Sequence, residues 1–145
     1  MPLHRQRHAN ANKIHKLVKL RGIGAEFATV LVGEVFFRPF SNRHHIASYV
    51  GLTPSHFPSG STSRDQGISK AGNPKARTTM VELAWMWLRH QPGSSLSAWF
   101  RGRVGVLKGR IRRITIVAVA RKLLITLWRY LEAGVLPTDI ALKKG

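Results

Sequence analysis

The chain has 145 residues, with 24 Lys and Arg against 6 Asp and Glu and a formal net charge of +18. That length fits one domain with or without a tail, and that charge calls for an anionic partner, nucleic acid first. With no Cys, a disulfide scaffold and thiolate metal sites are excluded, while 43% hydrophobic residues suffice for a core.

The start, Met1-Pro2-Leu3-His4-Arg5, leads into no apolar stretch, so no secretory signal is expected. The longest apolar run, Ile114 to Trp128, is split by Arg121-Lys122 and is too short to span a bilayer. A cytoplasmic, nucleoid-associated protein without membrane contact is expected. The acids Glu26, Glu34, Asp65, Glu82, Glu132 and Asp139 are scattered. A two-metal nuclease centre needs clustered carboxylates, so no metal site is expected within this chain.

Residues 1–12 are polar and basic and read as a flexible tail. Over 13–20 the spacing of Ile14, Leu17, Val18 and Leu20 predicts a helix, broken at Arg21-Gly22-Ile23-Gly24. Residues 25–35 resume helical spacing through Phe27, Val30, Leu31 and Val35, and Ser41 or Asn42 caps a helix over 43–50 stopped by Gly51. Residues 52–73, punctuated by Pro54, Pro58, Gly60, Gly67 and Gly72 and rich in serine, read as a long functional loop. Asn73-Pro74 pairs a capping side chain with Pro at the first helical position and opens a helix to His90. Pro92-Gly93 ends it, Ser94 or Ser95 caps a short helix to Phe100, and a last helix runs from Arg110 to Glu132, closed by Gly134. Between them lies a basic stretch of Arg101, Arg103, Lys108, Arg110, Arg112 and Arg113. No strand alternation is visible. The expected fold is all-α: a helix-hairpin-helix, a long Ser/Gly loop and a bundle of longer helices, with the domain over 13–134 and a tail over 135–145.

Three constellations carry chemistry. Gly22-Ile23-Gly24 between two helices permits a tight turn with bare amides at the start of the second helix, suited to a DNA phosphate; an ordinary helix–helix turn is the alternative. Ser59-Gly60 lies in a basic loop where a hydroxyl can attack a phosphodiester and Arg64, Lys70 and Arg77 can hold it; composition alone reads this as a flexible turn. Lys70, Lys75 and Arg77 bracket the helix start at Asn73, which suits an anion as well as a plain capped start with solvated cations. His4 and His8 share helical metal spacing without a third ligand. Trp85, Trp87, Trp99 and Trp128 read as core rather than base-stacking platforms.

Leu20-x-Gly22-Ile23-Gly24, Ile46-Ala47-Ser48-Tyr49-Val50-Gly51-Leu52-Thr53-Pro54, Ser59-Gly60 and Ile68-Ser69-Lys70-Ala71-Gly72-Asn73-x-x-x-Arg77 follow one another in order. With Glu82–Pro92 and Ala118–Leu124 they resemble the C-terminal domain of the insertion-sequence 110/116/902 transposase family, over roughly residues 14–133. The resemblance implies a DNA recombinase of a mobile element. In that family an N-terminal RNase-H-like domain bears an Asp-Glu-Asp-Asp metal site for Mg²⁺, and the helical domain supplies a catalytic serine, which by motif position is Ser59. It also implies a structured guide RNA and oligomers, homo-oligomers or mixed ones with a full-length transposase. The acidic domain has no counterpart here, so the chain reads as a truncated copy, a fragment or half of a split gene.

The main reading is therefore a transposase domain that binds DNA and exchanges strands when joined by a metal-bearing domain. The rivals are a non-catalytic basic DNA- or RNA-binding module, and a ribosomal or nucleoid packing protein. The charge and the turn predict nucleic-acid binding with weak sequence preference. Release of counterions from about five to eight phosphates gives a slope of log K against log salt of roughly −5 to −7, read by anisotropy titrations; a flat response contradicts it.

Overall fold

The computed structural model describes residues 3–53, 72–106 and 109–144, the side chains from residue 5 onward. Among the described residues six α-helices follow in order: α1 Leu3–Val18, α2 Ala25–Leu31, α3 Arg43–Val50, α4 Pro74–His90, α5 Ser95–Val104 and α6 Arg110–Ala133, with a π-helical turn Val32–Phe36 extending α2. The described residues form no strand, only an isolated antiparallel bridge between Leu20 and Leu142. The all-α expectation is met, while residues 54–71, most of the loop expected over 52–73, lie outside the described residues.

Local chemistry sets the boundaries. Asn42 caps α3 by accepting from the His45 amide at 2.8 Å, and Gly51 ends it at φ +85°. Asn73 caps α4 through the Ala76 amide, with Pro74 first in the helix, and Ser94 caps α5 through the Ser97 amide. Gly134 ends α6 in the left-handed region at φ +72°. The short helix expected to stop at Phe100 runs on to Val104.

The core is the seam between α4 and α6. Ala76, Met80, Leu83, Ala84 and Trp87 recur at three- and four-residue steps and are buried, as are Ile116, Val119, Ala120, Leu123, Leu124 and Leu127. Leu17, Leu31, Ile46 and Val50 bring α1, α2 and α3 onto the same core. Of the tryptophans, only Trp87 is fully buried, its Nε1 donating to Ser94 Oγ; Trp85, Trp99 and Trp128 are half-buried.

Two expectations about the ends need correction. The polar segment expected as a tail over 1–12 is helical from Leu3. No Gly or Pro interrupts it, and polar bonds replace the missing apolar face: Gln6 donates to Asn10 and to the carbonyl of Phe37, and Lys13 to the carbonyl of Phe36. The segment expected as a tail over 135–145 folds back as a strap across the α1–α2 turn. The Arg21 amide donates to Ala141 O, the Lys143 amide to Lys19 O and Lys143 Nζ to Ile23 O.

Gln91, just past α4 and 2% exposed, joins these parts. Its Nε2 donates to the carbonyls of Arg21 and Ala141, and its Oε1 accepts from the Ala141 amide, all at 2.8 Å. A buried amide is stable only when so satisfied. Nearby, Asp139 accepts from Ser95, and hydrogen bonds from that residue hold its carboxyl below the usual range.

The two turn glycines differ. Gly22 sits at φ +98°, with a Cβ there 3.2 Å from His90 Cβ, whereas Gly24 has φ −88° and open space around it. The backbone freedom expected of both is required only of Gly22. Gly22→Ala is expected to cost about 1–2 kcal/mol in urea unfolding, and Gly24→Ser to stay within about 0.5 kcal/mol of the parent or above it, because Ser is a good N-cap.

Candidate nucleic-acid interface

The segment expected to carry Ser59 leaves and rejoins the described structure at one point. After α3, Gly51 lies against Gly72: a Cβ on Gly72 would be 2.9 Å from Gly51 Cα and 3.2 Å from Gly51 N. Only two glycines permit that approach. Beside it the Asn73 amide donates to Tyr49 O at 3.0 Å.

Asn73 makes two side-chain hydrogen bonds within the protein. Its Oδ1 caps α4, and its Nδ2 donates to Glu34 Oε1 at 3.1 Å. Glu34 projects from the π turn, its carbonyl accepts from Tyr49 Oη, and its other carboxylate oxygen lies 3.7 Å from Lys75 Nζ. That ion pair is two-thirds exposed on the lysine side and contributes little by itself. The Arg77 guanidinium lies along Gly51. Asn73 and Arg77 are thus brought together, Asn73 as the fastener and Arg77 as a cation at the closure.

Next to this closure runs a groove of about 470 Å3 between Leu52-Thr53 and the N-terminal half of α6, which contributes Arg110, Arg113, Ile114, Val117, Ala118 and Arg121. Arg110, Ile114, Val117 and Arg121 stand at steps of four, three and four residues and so share one face. Ile114 is 55% and Val117 40% exposed. Thr53 and Arg121 also line a smaller adjoining recess with Arg43 and His44 of α3. Four arginines therefore border a groove whose lining, among the described residues, contains no carboxylate.

Arg110 and Arg113 belong to the basic stretch marked in the sequence, but Arg43 and the role of Arg121 were missed. Ile114 and Val117 open an apolar run that reads as core, which hid the face. The spacing of Arg110 and Arg121, three turns apart, was the available signal.

Gly22, Ile23 and Gly24 lie elsewhere. Ile23 is fully buried, and the turn packs on His90 and Gln91 at the C-terminal end of α4, whereas Arg77 is at its N-terminal end. Thirteen residues of helix separate Arg77 from His90, about 20 Å. Just beyond the turn, Glu26 and Glu82 line a cleft of about 540 Å3 between α2 and α4, an unfavourable setting for a phosphate. Ser59, Arg64 and Lys70 lie outside the described residues. Among the described residues no three His, Asp or Glu side chains form a group that could hold a metal ion. No described helix is long and apolar enough to cross a membrane.

Residues 14–98 match the transposase IS116/IS110/IS902 family. Two curated proteins of Sinorhizobium fredii whose names call them transposases are similar to the chain. The protein y4rJ is 52% identical over 128 residues, covering 88% of this chain and 32% of that protein. The protein y4qE is 32% identical over 132 residues, covering 75% of this chain and 34% of that protein. No solved structure matches. The chain belongs to the IS116/IS110/IS902 transposase family and spans about a third of the length of these relatives.

The closure makes a specific expectation. Gly72→Ala must push apart two backbones that touch, so it is expected to cost about 1–3 kcal/mol and to speed exchange of the Asn73 amide in hydrogen-exchange measurements. Gly93→Ala, at a position with open space, is expected to stay within about 0.5 kcal/mol.

Proposed function

We propose that this chain is the serine-bearing DNA-binding domain of a transposase, with DNA held in the groove between α3 and α6. The observation that carries the reading is the groove bordered by Arg43, Arg110, Arg113 and Arg121, with no carboxylate among its described lining residues, adjoining the closure from which the Ser59 segment departs. Ser59 is six residues from Thr53, so chain length alone keeps it within about 20 Å of that groove.

In this proposal the Ser59 hydroxyl attacks a backbone phosphorus. The hydroxyl proton leaves to a base, the new Oγ–P bond forms, and the displaced deoxyribose oxygen departs with a proton. Arg64, Lys70 and Arg77 hold the charge that develops on the phosphoryl oxygens, with the groove arginines binding flanking phosphates. Asn73 keeps the closure in place. Gly22, Ile23 and Gly24 shape the α1–α2 turn, and the first amides of α2 are a weaker contact because Glu26 opposes an anion there. Mg²⁺, guide RNA and a partner subunit, homo-oligomeric or a full-length transposase, belong to the longer protein of this family in the same proposal, and nucleoid association follows from DNA binding.

The test supplies the chain with the metal-bearing domain and element-end DNA. Ser59→Ala is expected to abolish the covalent protein–DNA adduct and change DNA affinity by less than about 1 kcal/mol, while Ser61→Ala and Ser63→Ala remain active. Adduct formation by Ser59→Ala sinks the nucleophile assignment. Arg113→Ala with Arg121→Ala is expected to lower the magnitude of the salt slope by about two. An unchanged slope removes DNA from that groove.

A further inference from the structure

A second arginine cluster lies on another face of the bundle, where α4, α5 and the start of α6 meet. A cleft of about 310 Å3 is lined by Arg89 of α4, Arg101 of α5 and Arg112 of α6 over a floor that includes Trp85, Leu88 and Phe100. Among the described residues its lining holds three guanidinium groups and no carboxylate. Left alone, three like charges around an apolar floor repel one another, and an anion relieves that repulsion.

The cations are not equally free. Trp85 and Phe100 meet edge to face, with ring centroids 5.9 Å apart. The Arg112 guanidinium carbon lies 4.9 Å from the Trp85 centroid and 5.6 Å from that of Phe100. Two rings therefore hold Arg112 by cation–π attraction, which fixes the group without consuming its N–H donors. Arg101 Nη1 donates to Pro92 O at 3.1 Å, which fixes a second guanidinium at the cost of one donor. Prefixed guanidinium groups lose less entropy on capturing a tetrahedral oxyanion and can pair with it bidentately.

This cleft is distinct from the α3–α6 groove. At 100° per residue, Arg112 stands about 160° around α6 from Ile114, the centre of the groove face. Arg110 and Arg113 serve one side of α6, while Arg112 reaches over Trp85 and Phe100 on the other.

We propose that Arg89, Arg101 and Arg112 form a second phosphate-binding cleft, which holds the phosphodiester backbone of a nucleic-acid segment separate from the one in the α3–α6 groove. The domain then holds two segments at once. The inference rests on the reading that the domain binds nucleic acid, and not on the chemistry assigned to Ser59.

The experiment titrates the full chain with short fluorescein-labelled duplex DNA and, separately, short labelled single-stranded RNA, reading stoichiometry and salt dependence. The parent is expected to bind two duplexes per chain, or one duplex and one RNA strand when both are present. The double variant Arg89→Ala, Arg112→Ala is expected to retain one site and to lower the summed salt slope by about two. The pair Arg113→Ala, Arg121→Ala is expected to lose the other site and keep this one. Arg112→Ala also removes ring contacts, so Arg89→Glu, which reverses a charge outside them, is the second variant; about tenfold weaker binding at the second site with an unchanged melting temperature supports the cleft. Loss of RNA alone identifies RNA as the occupant, and loss of a duplex identifies DNA. One probe per chain in the parent, or an Arg89→Glu variant that binds like the parent, overturns the proposal. If instead the parent binds two probes and the Arg113/Arg121 pair keeps both while the Arg89 variants lose one, the α3–α6 groove reading fails and this one stands.

Discussion

The buried face of α4, made by Ala76, Met80, Leu83, Ala84 and Trp87, packs along α6, and the two ends of α4 organise different polar chemistry. At its start, Asn73 and Gly72 fasten the return of a long segment onto Gly51 and Tyr49. At its finish, Gln91 fastens the α1–α2 turn and the C-terminal strap. The seam between these ends is largely apolar, the buried Thr79 of α4 and Thr115 of α6 being among its polar side chains, with Thr115 donating to Ile111 O of its own helix, and the length of α4 sets the separation of the ends at about 20 Å. A change in that seam would reach the closure and the turn together, whereas a change at either cap stays local.

Most of the helix pattern was legible because it rests on local rules. Asn42, Asn73 and Ser94 cap helices, Gly51 and Gly134 end them, and the apolar steps of α4 mark its buried face. What failed depended on partners distant in sequence. Residues 3–12 looked like a tail because they lack an apolar face, yet they dock through side chains onto the carbonyls of Phe36 and Phe37. Residues 135–144 looked like a tail because nothing local announces that Ala141 will meet Gln91 across fifty residues. The π turn at Val32–Phe36 carried no local signal that distinguished it from continued α-helix.

The candidate site was legible in part for the same reason. Asn73 and Arg77 were found by a capping pattern and do meet at the closure. The sequence could not show that the Gly22–Gly24 turn sits at the opposite end of α4, or that Glu26 and Glu82, far apart in the chain, share one cleft beyond it. Nor could it show that the arginines at the start of α6 divide between two faces. The sequence carries the order of the motifs, and geometry adds which of the described ones are neighbours.

Gln91 also bears on the order in which the chain becomes native during synthesis. The helices α4, α5 and α6 and their seam are complete once residue 133 has emerged, and α1 and α2 are made long before. The carbonyl of Arg21 gains its partner Gln91 70 residues later, but the amide of Arg21 must wait for Ala141, made 120 residues later. Until then Gln91 has an unpaired oxygen and the turn an unpaired donor, in a place that is later buried. The final register of the α1–α2 turn therefore depends on a partner that is made after all the described helices.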